Sequence, residues 1–314
     1  MDYIEIAKFL NKDKLCFDYL QKNATYEGAE RYYFNRCNKL EVWYMEATNQ
    51  VKIKGSIPYF INGHNFYSSY SDWNEGLDYL QNCMNINIFD GLVNCFEFGT
   101  IQEIPFPEPE FLRNHIKAKG MQTREYHKGN ILTGKEFDSS SLKIKLYDVS
   151  RNIKNKLPKP VRNEISKFHG WDKEKHYIKI ENHYKKPEAF FKGNLHLNEV
   201  LASSFQNNLK NELLNSYQKI MKAENLIIPK NKADINAGTI PLMILKKLES
   251  EYNFKTEDLI NNILKEIPED VFSLNDRKAR QRIIKENLKK IKLQGESKYN
   301  IEKLLQEKIN TSIS

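Results

Sequence analysis

The fold is decided by the nine residues HYIKIENHY at positions 176–184. Side chains along a β-strand alternate between two faces, so Ile178 and Ile180 share one face. Glu181 and His183 share the opposite face. An apolar face opposite a charged one is typical of a strand that is half buried in a sheet. The stretch therefore predicts a strand whose polar face carries titratable side chains.

Two other stretches show the same alternation. LKIKLYD (residues 142–148) places two lysines and Tyr147 on one face. In LVNCFEFGT (residues 92–100), Glu97 lies on the face opposite the two phenylalanines. If these strands pair with residues 176–184, one face of the sheet gathers the charged and titratable residues Glu97, Lys143, Lys145, Tyr147, Lys179, Glu181 and His183.

Weaker patterns surround these strands. A period of two runs from Leu40 to Ile57 on both sides of Thr48-Asn49, which predicts a β-hairpin. Ile4 to Leu10 shows a short helical pattern. Prolines 158 and 160 predict a loop between the strands at 142–148 and 176–184.

The C-terminal third changes character. From about residue 198, apolar residues recur at helical spacing, and helices are predicted over 239–251, 256–265, 275–293 and 298–310. The sequence thus predicts an α+β protein: a mostly antiparallel sheet with helices on one face, followed by an α-helical C-terminal domain. We expect the two domains to cover residues 1–195 and 196–314.

Composition limits the partners. A net charge of +8 and a pI of about 9.0 favour an anionic partner such as nucleic acid. The four cysteines form no CxxC pair, which argues against a zinc ribbon or a redox motif. No apolar run approaches the ~20 residues that span a bilayer, and the N-terminus lacks a secretory apolar segment. We expect a soluble cytoplasmic protein that does not contact a membrane.

The polar face combines groups that suit phosphodiester transfer. The carboxylates of Glu97 and Glu181 and the imidazole of His183 together suit Mg²⁺ or Mn²⁺, and such an ion would polarise a scissile phosphate. The hydroxyl of Tyr147 is a nucleophile once its proton leaves, and nearby lysines favour the phenolate. Ordinary roles also fit, because strand glutamates are usually solvated, strand tyrosines are usually packed, and lysines often line the wet side of a sheet.

Four segments, in order along residues 40–220, resemble the core motifs of phage and plasmid rolling-circle replication initiators. The most similar group comprises the replication nickases of filamentous phages and related plasmid proteins, among the HUH-type endonucleases. The segments are VKIKGSIPYFINGHNF, VNCFEFGT, LKIKLYDVSRNI and YIKIENHYKKPEAF.

The resemblance implies residue roles. It implies an acidic metal ligand at Glu97, a nucleophile at Tyr147 and a second acidic ligand at Glu181. Its implied activity is the nicking of one strand at a replication origin through a 5′-phosphotyrosine intermediate. The implied partners are origin DNA, as a single strand or a hairpin, and the helicase and polymerase of a bacterial host. We expect His183 as a third metal ligand.

The motifs also depart from the family pattern. The lysine that the family carries two residues after the tyrosine is Val149 here, and the arginine of the third motif is Lys179. We expect Lys143, Lys145, Arg151 and Lys179 to contact DNA. The change at Val149 leaves open a non-catalytic DNA-binding initiator or regulator on the same fold.

Three further questions stay open. Tyr177 and Tyr184 are candidates for a second transfer tyrosine. The aromatic pairs Trp43-Tyr44 and Tyr59-Phe60 also fit an RNA-binding or interaction protein. The basic stretch 276–292, which includes Arg280 and Arg282, predicts a helix that either lies along DNA phosphates or is a solvated amphipathic helix.

Overall fold

The computed structural model describes residues 2–10, 14–26, 28–34, 37–66, 69–222, 225–226, 238–252, 254–290, 293–294 and 303–307. Over these residues the chain forms a large antiparallel sheet accompanied by helices, and the C-terminal part is helical. The α+β class is therefore confirmed.

The strands are β1 (Tyr3–Phe9), β2 (Leu20–Tyr26), β3 (Ala29–Phe34), β4 (Cys37–Met45), β5 (Gln50–Ser56), β6 (Leu92–Ile104), β7 (His115–Ala118), β8 (Gln122–Lys128), β9 (Ile131–Asp138), β10 (Leu142–Asp148), β11 (His176–Tyr184), β12 (Ile220–Lys222), β13 (Asn225–Leu226) and β14 (Leu293–Gln294). The α-helices are α1 (Ile57–Asn62), α2 (Tyr70–Met84), α3 (Glu108–Arg113), α4 (Val149–Lys156), α5 (Lys159–His169), α6 (Leu197–Val200), α7 (Ser203–Gln218), α8 (Thr239–Tyr252), α9 (Thr256–Glu266) and α10 (Leu274–Lys290).

Ten of the described strands form one sheet in the order β2-β3-β4-β5-β1-β6-β11-β10-β9-β8. Neighbouring strands are antiparallel throughout. The three strands that carry the family-like motifs, β6, β11 and β10, are consecutive neighbours. Their registers set His183 opposite Glu97 and Lys145 opposite Glu181.

The apolar face of the sheet forms the main core. Ile6, Phe96 and Ile180 are fully buried there, under helices that include α2 and α7. Burial of each such side chain contributes about 1.5–3 kcal/mol. Because side chains alternate along each strand, this packing turns the charged residues of β6, β10 and β11 to the opposite face, which we call the polar face.

The N-terminal residues correct one prediction. Ile4 to Leu10 was expected to be helical, but β1 is a strand between β5 and β6. Ile4 and Ile6 are buried on the apolar face, and the intervening Glu5 points to the other side, where Lys52 lies. Seven residues are too few to distinguish the two periods, and pairing on both edges selects the strand.

The predicted loop after β10 is wrong as well, because it contains α4 and α5. Val149, Ile153 and Ile165 are buried in a small second core with Tyr177 and Trp171. Pro160 stands at the first turn of α5, where a missing N–H costs nothing. These two helices therefore cover one end of the polar face and form a wall beside Tyr147.

Three of the predicted C-terminal helices are present. The predictions 239–251 and 256–265 correspond to α8 and α9, and 275–293 corresponds to α10, which ends at Lys290, whereas Leu293 belongs to β14. Of the prediction 298–310, residues 303–307 are helical and the rest lies outside the described residues. The domain boundary at 195 and 196 stays a prediction, although α7 packs into the main core beneath the sheet.

No helix within the described ranges is long and apolar enough to cross a membrane.

Candidate active site

A cleft of about 790 Å³ opens on the polar face. It is bordered by α4, by Tyr59 of α1, and by Asn65 and Phe66, which follow α1. The alternation along β6, β10 and β11 turns its charged side chains toward this space. The titratable residues that line the cleft include Tyr59, Glu97, Glu136, Lys145, Tyr147, Arg151 and Glu181.

Glu97 is the centre of a polar contact across three strands. Its Oε1 accepts a hydrogen bond from Nδ1 of His183, 2.7 Å away on β11. The same oxygen pairs with the ammonium of Lys145 on β10. The ring of Tyr3 stacks on the His183 ring with centroids 6.1 Å apart. The sheet register therefore brings together the residues that the face-sorting predicted.

Glu181 is more deeply buried, at 2% exposure. Its Oε1 lies 3.2 Å from Nζ of Lys179 on the same strand, and Lys179 also pairs with Asp2. Burial alone would raise the pKa of Glu181. The charges of Lys179 and Lys145 outweigh burial, so the pKa lies below its usual value. Glu181 is therefore an ionised acceptor at neutral pH.

Tyr147 is a diagonal neighbour of Glu181 on the adjacent strand and lines the same cleft. Burial, followed by the negative charges of Glu181 and Glu97, raises the pKa of Tyr147 well above its usual value. The sequence suggested the reverse, because the lysines were expected to favour the phenolate. Those lysines instead neutralise the carboxylates, which leaves Tyr147 as a neutral hydrogen-bond donor.

The lysines on the polar face therefore have carboxylate partners. Burial opposes the charge of Lys145, but Glu97 and Glu181 outweigh it and raise its pKa. Lys143 lies 2.9 Å from Glu136 on β9. Lys179 is only 3% exposed, and its ammonium lies between Asp2 and Glu181, so its contact with DNA stays a prediction that this arrangement does not favour.

Arg151 is one of two cations on α4 that line the cleft, the other being Lys156. The backbone N–H of Arg151 donates to Asp148, which caps this helix. Its Nε is buried and has no hydrogen-bond partner among the described residues. Val149, where the family carries a lysine, is buried in the small second core.

The predicted metal ligands converge only in part. Glu97 and His183 are in contact, whereas Glu181 faces Lys179 and Tyr147. In the part of the chain that the structure describes, no three His, Cys, Asp or Glu side chains are grouped to hold a metal ion. The donor chemistry of the first two residues suits a divalent ion, and the three-ligand site stays a prediction.

The two tyrosines considered for a second transfer step lie outside the cleft. Tyr184 is fully buried in the main core. Tyr177 belongs to the small second core and donates to the carbonyl of Gly170. Tyr59 on α1 does line the cleft together with Tyr147.

Residues of β8 and β9 complete the cleft and were not predicted from sequence. The hydroxyl of Tyr126 donates to Glu136 at 3.0 Å. The connection Gly129-Asn130 carries the signal that could have revealed this hairpin, since Gly-Asn is a two-residue turn and Gly129 has a positive φ of 61°. Asp2 could not be found in this way, because its contact with Lys179 is between residues far apart in the chain.

Arg280 and Arg282 are on α10 and line no part of the cleft. Both are exposed, and Arg282 lies 3.4 Å from Glu286 one turn later on the same helix. α10 packs on α8 through Leu288 and Leu242. This arrangement fits either of the two roles predicted for the basic stretch.

No protein-family model, curated protein sequence or solved structure matches this chain.

Proposed function

We propose that this protein is a replication initiator that nicks one DNA strand at an origin, as rolling-circle initiators do. The observation that carries the proposal is the position of Tyr147 beside the ionised carboxylate of Glu181, within a cleft that both residues line together with Arg151. A nucleophile, a proton acceptor and a cation are the groups that attack on a phosphodiester requires.

The attack would be a single transesterification step, which transfers the phosphate from the DNA 3′-oxygen to Tyr147. The oxygen of Tyr147 forms a bond to phosphorus while its proton passes to Glu181. The bond from phosphorus to the 3′-oxygen breaks, and the released 3′-oxygen takes up a proton from water. The product is a 5′-phosphotyrosine that can be rejoined later. Because the pKa of Tyr147 is raised, this transfer depends on the adjacent acceptor rather than on a preformed phenolate.

Two cationic features would support the phosphate. Arg151, which lines the cleft, would bind a non-bridging oxygen through its guanidinium. Glu97 and His183 would hold a divalent Mg²⁺ or Mn²⁺ ion, which supplies charge to polarise the phosphate when bound. Origin DNA would reach the cleft as a single strand or hairpin, and the nicked product would then pass to host helicase and polymerase.

A second candidate function is DNA binding without nicking, in an initiator or regulator. The observation that favours it is Val149, which is 2% exposed and belongs to the small second core instead of offering a cation to the cleft. In this case the polar face would bind DNA through charge alone, and affinity would not depend on the hydroxyl of Tyr147.

One experiment separates these functions. Labelled single-stranded oligonucleotides that tile the protein's own replicon are mixed with the full chain and Mn²⁺, and are then run on a denaturing gel. We expect a DNA band that carries covalently attached protein, and its loss in Tyr147→Phe and in EDTA. Tyr177→Phe is the matched control, and it should retain the band. Tight binding by the wild type with no covalent band would reject nicking and leave the second function.

A further inference from the structure

A cluster of aromatic rings and cations lies on the polar face at some distance from the cleft. It consists of Tyr26, Arg31, Tyr33, Trp43 and Lys54, and we call it the aromatic patch. The rings of Tyr26 and Trp43 stack with centroids 5.2 Å apart and planes 27° from parallel. Tyr26 is 48% exposed, whereas Tyr33 and Trp43 are half-buried.

Two cations are held against these rings. The Arg31 guanidinium lies 5.5, 5.4 and 5.6 Å from the ring centroids of Tyr26, Tyr33 and Trp43. Nζ of Lys54 lies 4.6 Å from the Trp43 ring centroid. Cations over ring faces are attracted by the ring quadrupole. The arrangement thus combines flat apolar faces with positive charge at one spot on the sheet.

The Trp43 ring is also fixed in orientation. Its Nε1 donates to Glu41 at 2.9 Å, and Glu41 in turn lies 3.4 Å from Lys54. A ring held in this way loses little freedom when another flat group stacks on it. Together with the adjoining residues of β5 and β1, the three cations Arg31, Lys52 and Lys54 stand beside two carboxylates, Glu41 and Glu5. The local charge is therefore positive, and an anionic chain is favoured there.

The aromatic patch and the cleft belong to one continuous face. Arg31 stands opposite Trp43, and Trp43 stands opposite Lys52. From β4 the face continues through β5 and β1 to Glu97 on β6. Three strand spacings and a four-residue offset along the strands separate Trp43 from Glu97 by roughly 20 Å. The stacked rings of Tyr3 and His183 lie at the cleft end of this path.

We propose that the aromatic patch is a base-stacking site for the single-stranded DNA that extends from the cleft. Aromatic side chains bind unpaired bases by stacking, and neighbouring cations bind the backbone between them. Duplex DNA hides its base faces, so this site would select single strands. The choice of DNA as the ligand rests on the proposed function, whereas the stacking site itself rests on the geometry of the patch.

Tryptophan fluorescence gives a direct test, because the chain has three tryptophans and two of them lie in the cores. Trp73 and Trp171 are 2% and 6% exposed, and Trp43 is the one on the polar face. The full chain carrying Tyr147→Phe is titrated in EDTA with a 20-nucleotide oligo-dT, the equivalent oligo-U and a 20-base-pair duplex. We expect oligo-dT to quench the fluorescence and to bind more tightly than the other two probes.

Variants then assign the signal. Trp43→Phe should bind oligo-dT with little change but lose most of the quenching. Trp43→Ala and Tyr26→Ala should each weaken binding by about tenfold or more, since stacking is worth ~1–3 kcal/mol per base. Tyr252→Ala, at an exposed ring on α8, should bind as the parent does. Binding without quenching, unchanged affinity in both alanine variants, or tighter binding of oligo-U would overturn the proposal.

Failure of this proposal can be told from failure of the nicking proposal. If the wild type forms the covalent DNA band and Trp43→Ala binds oligo-dT normally, the stacking site is rejected and nicking stands. If the wild type forms no band while Trp43→Ala and Tyr26→Ala both bind weakly, nicking is rejected and the stacking site stands.

Discussion

Tyr147 and Glu181 are diagonal neighbours on adjacent strands, and the negative charge of the glutamate helps to raise the pKa of the tyrosine. Tyr147 itself stands opposite Lys179, and Glu181 stands opposite Lys145. Each member of the pair is thus flanked by a lysine on the facing strand. The positive charges of Lys145 and Lys179 keep Glu181 ionised, whereas burial keeps Tyr147 protonated.

The first prediction concerns the proton acceptor. Glu181→Gln retains an oxygen acceptor beside Tyr147, but it removes the group that takes the proton. We expect covalent DNA attachment to slow by a factor of about 10²–10⁴, with little change in DNA affinity. The measurement is the rate of band formation on a denaturing gel. Glu103→Gln, at an exposed ion pair with Lys175, is the control; equal rates in both variants would remove Glu181 from this role.

The second prediction concerns the divalent ion and uses binding instead of activity. Titration calorimetry with Mn²⁺ in the absence of DNA should detect one site. Glu97→Gln and His183→Gln should each weaken it by at least tenfold, because each removes one of two converging donors. Glu5→Gln, on the same face but paired with Lys52, should leave it unchanged. No heat from the wild type would reject the metal assignment without touching that of Tyr147.

The third prediction concerns Gly99, which stands opposite Glu181 on β6. A Cβ there would lie 2.4 Å from the carbonyl oxygen of Ile180 and 2.7 Å from Cγ of Glu181. Gly99→Ala must therefore push β11 away, at a cost of about 1–3 kcal/mol in the free energy of unfolding, and it should displace Glu181 from Tyr147. Denaturant unfolding and the covalent-attachment gel measure the two effects.

Gly134 is the matched comparison, because it stands opposite Tyr147 on β9. A Cβ at Gly134 would come no closer than 3.3 Å to any neighbour. Gly134→Ala should therefore be the milder change in stability and attachment. The reverse ranking would show that the close approach at Gly99 does not position Glu181.

The fourth prediction concerns His115, which is buried between α3 and α7. Its Nδ1–H donates to the carbonyl of Phe111 at 2.7 Å, and its Nε2 accepts from the Tyr217 hydroxyl at 2.9 Å. Burial lowers the pKa of His115 to about 3, although the bond to Phe111 works in the opposite direction, and the charges of Lys222 and Lys135 add to the lowering. Both nitrogens are satisfied by the neutral ring, so a proton would break the contact with Tyr217.

The sign of the pH dependence follows from this lowered pKa. The unfolded chain binds a proton at His115 below about pH 6.5, and the folded chain does not do so until about pH 3. The stability from this residue is complete above pH 6.5 and is lost by ~1.4 kcal/mol per pH unit as pH falls toward 3. His115→Gln should be less stable at pH 7 and should lose less stability on acidification. His127→Gln, on exposed β8, should retain the wild-type slope in urea unfolding; an unchanged slope in His115→Gln would contradict the prediction.

The sequence predicted the polar face well because the two-residue period of a strand is geometrically strict. Once HYIKIENHY and LKIKLYD are strands, the positions of Glu181 and Tyr147 on one face follow without knowledge of the rest of the chain. The electrostatics did not follow. The carboxylate partner of each lysine depends on the strand register and, for Lys179, on Asp2 near the start of the chain. Because these pairings were not foreseen, the direction of the Tyr147 pKa shift was predicted wrongly.

The elements that the sequence missed have weak periodic patterns, and the cause differs from one element to the next. β8 is exposed along most of its length, at the edge of the sheet, so its side chains show no alternation between an apolar and a polar face. β1 is short and its period is ambiguous. α4 and α5 bury only a narrow stripe against Tyr177 and Trp171, and their flanking prolines resemble loop signals although Pro160 begins a helix.

The last prediction decides between the two roles of the basic helix α10. If Arg280 and Arg282 bind phosphates, each neutralised contact releases counterions, and the slope of log affinity against log salt should fall by about 0.7 per contact on single strands. The double change Arg280→Gln with Arg282→Gln should then reduce the slope by ~1.4, and Arg151→Gln should reduce it by ~0.7.

The measurement is the affinity for oligo-dT at NaCl concentrations from about 50 to about 300 mM, in the Tyr147→Phe background. If only Arg151→Gln changes the slope, α10 is a solvated amphipathic helix, and the DNA interface is limited to the polar face. If the double change alone alters it, Arg151 does not bind phosphate, and the phosphate contacts that the salt slope reports lie on α10.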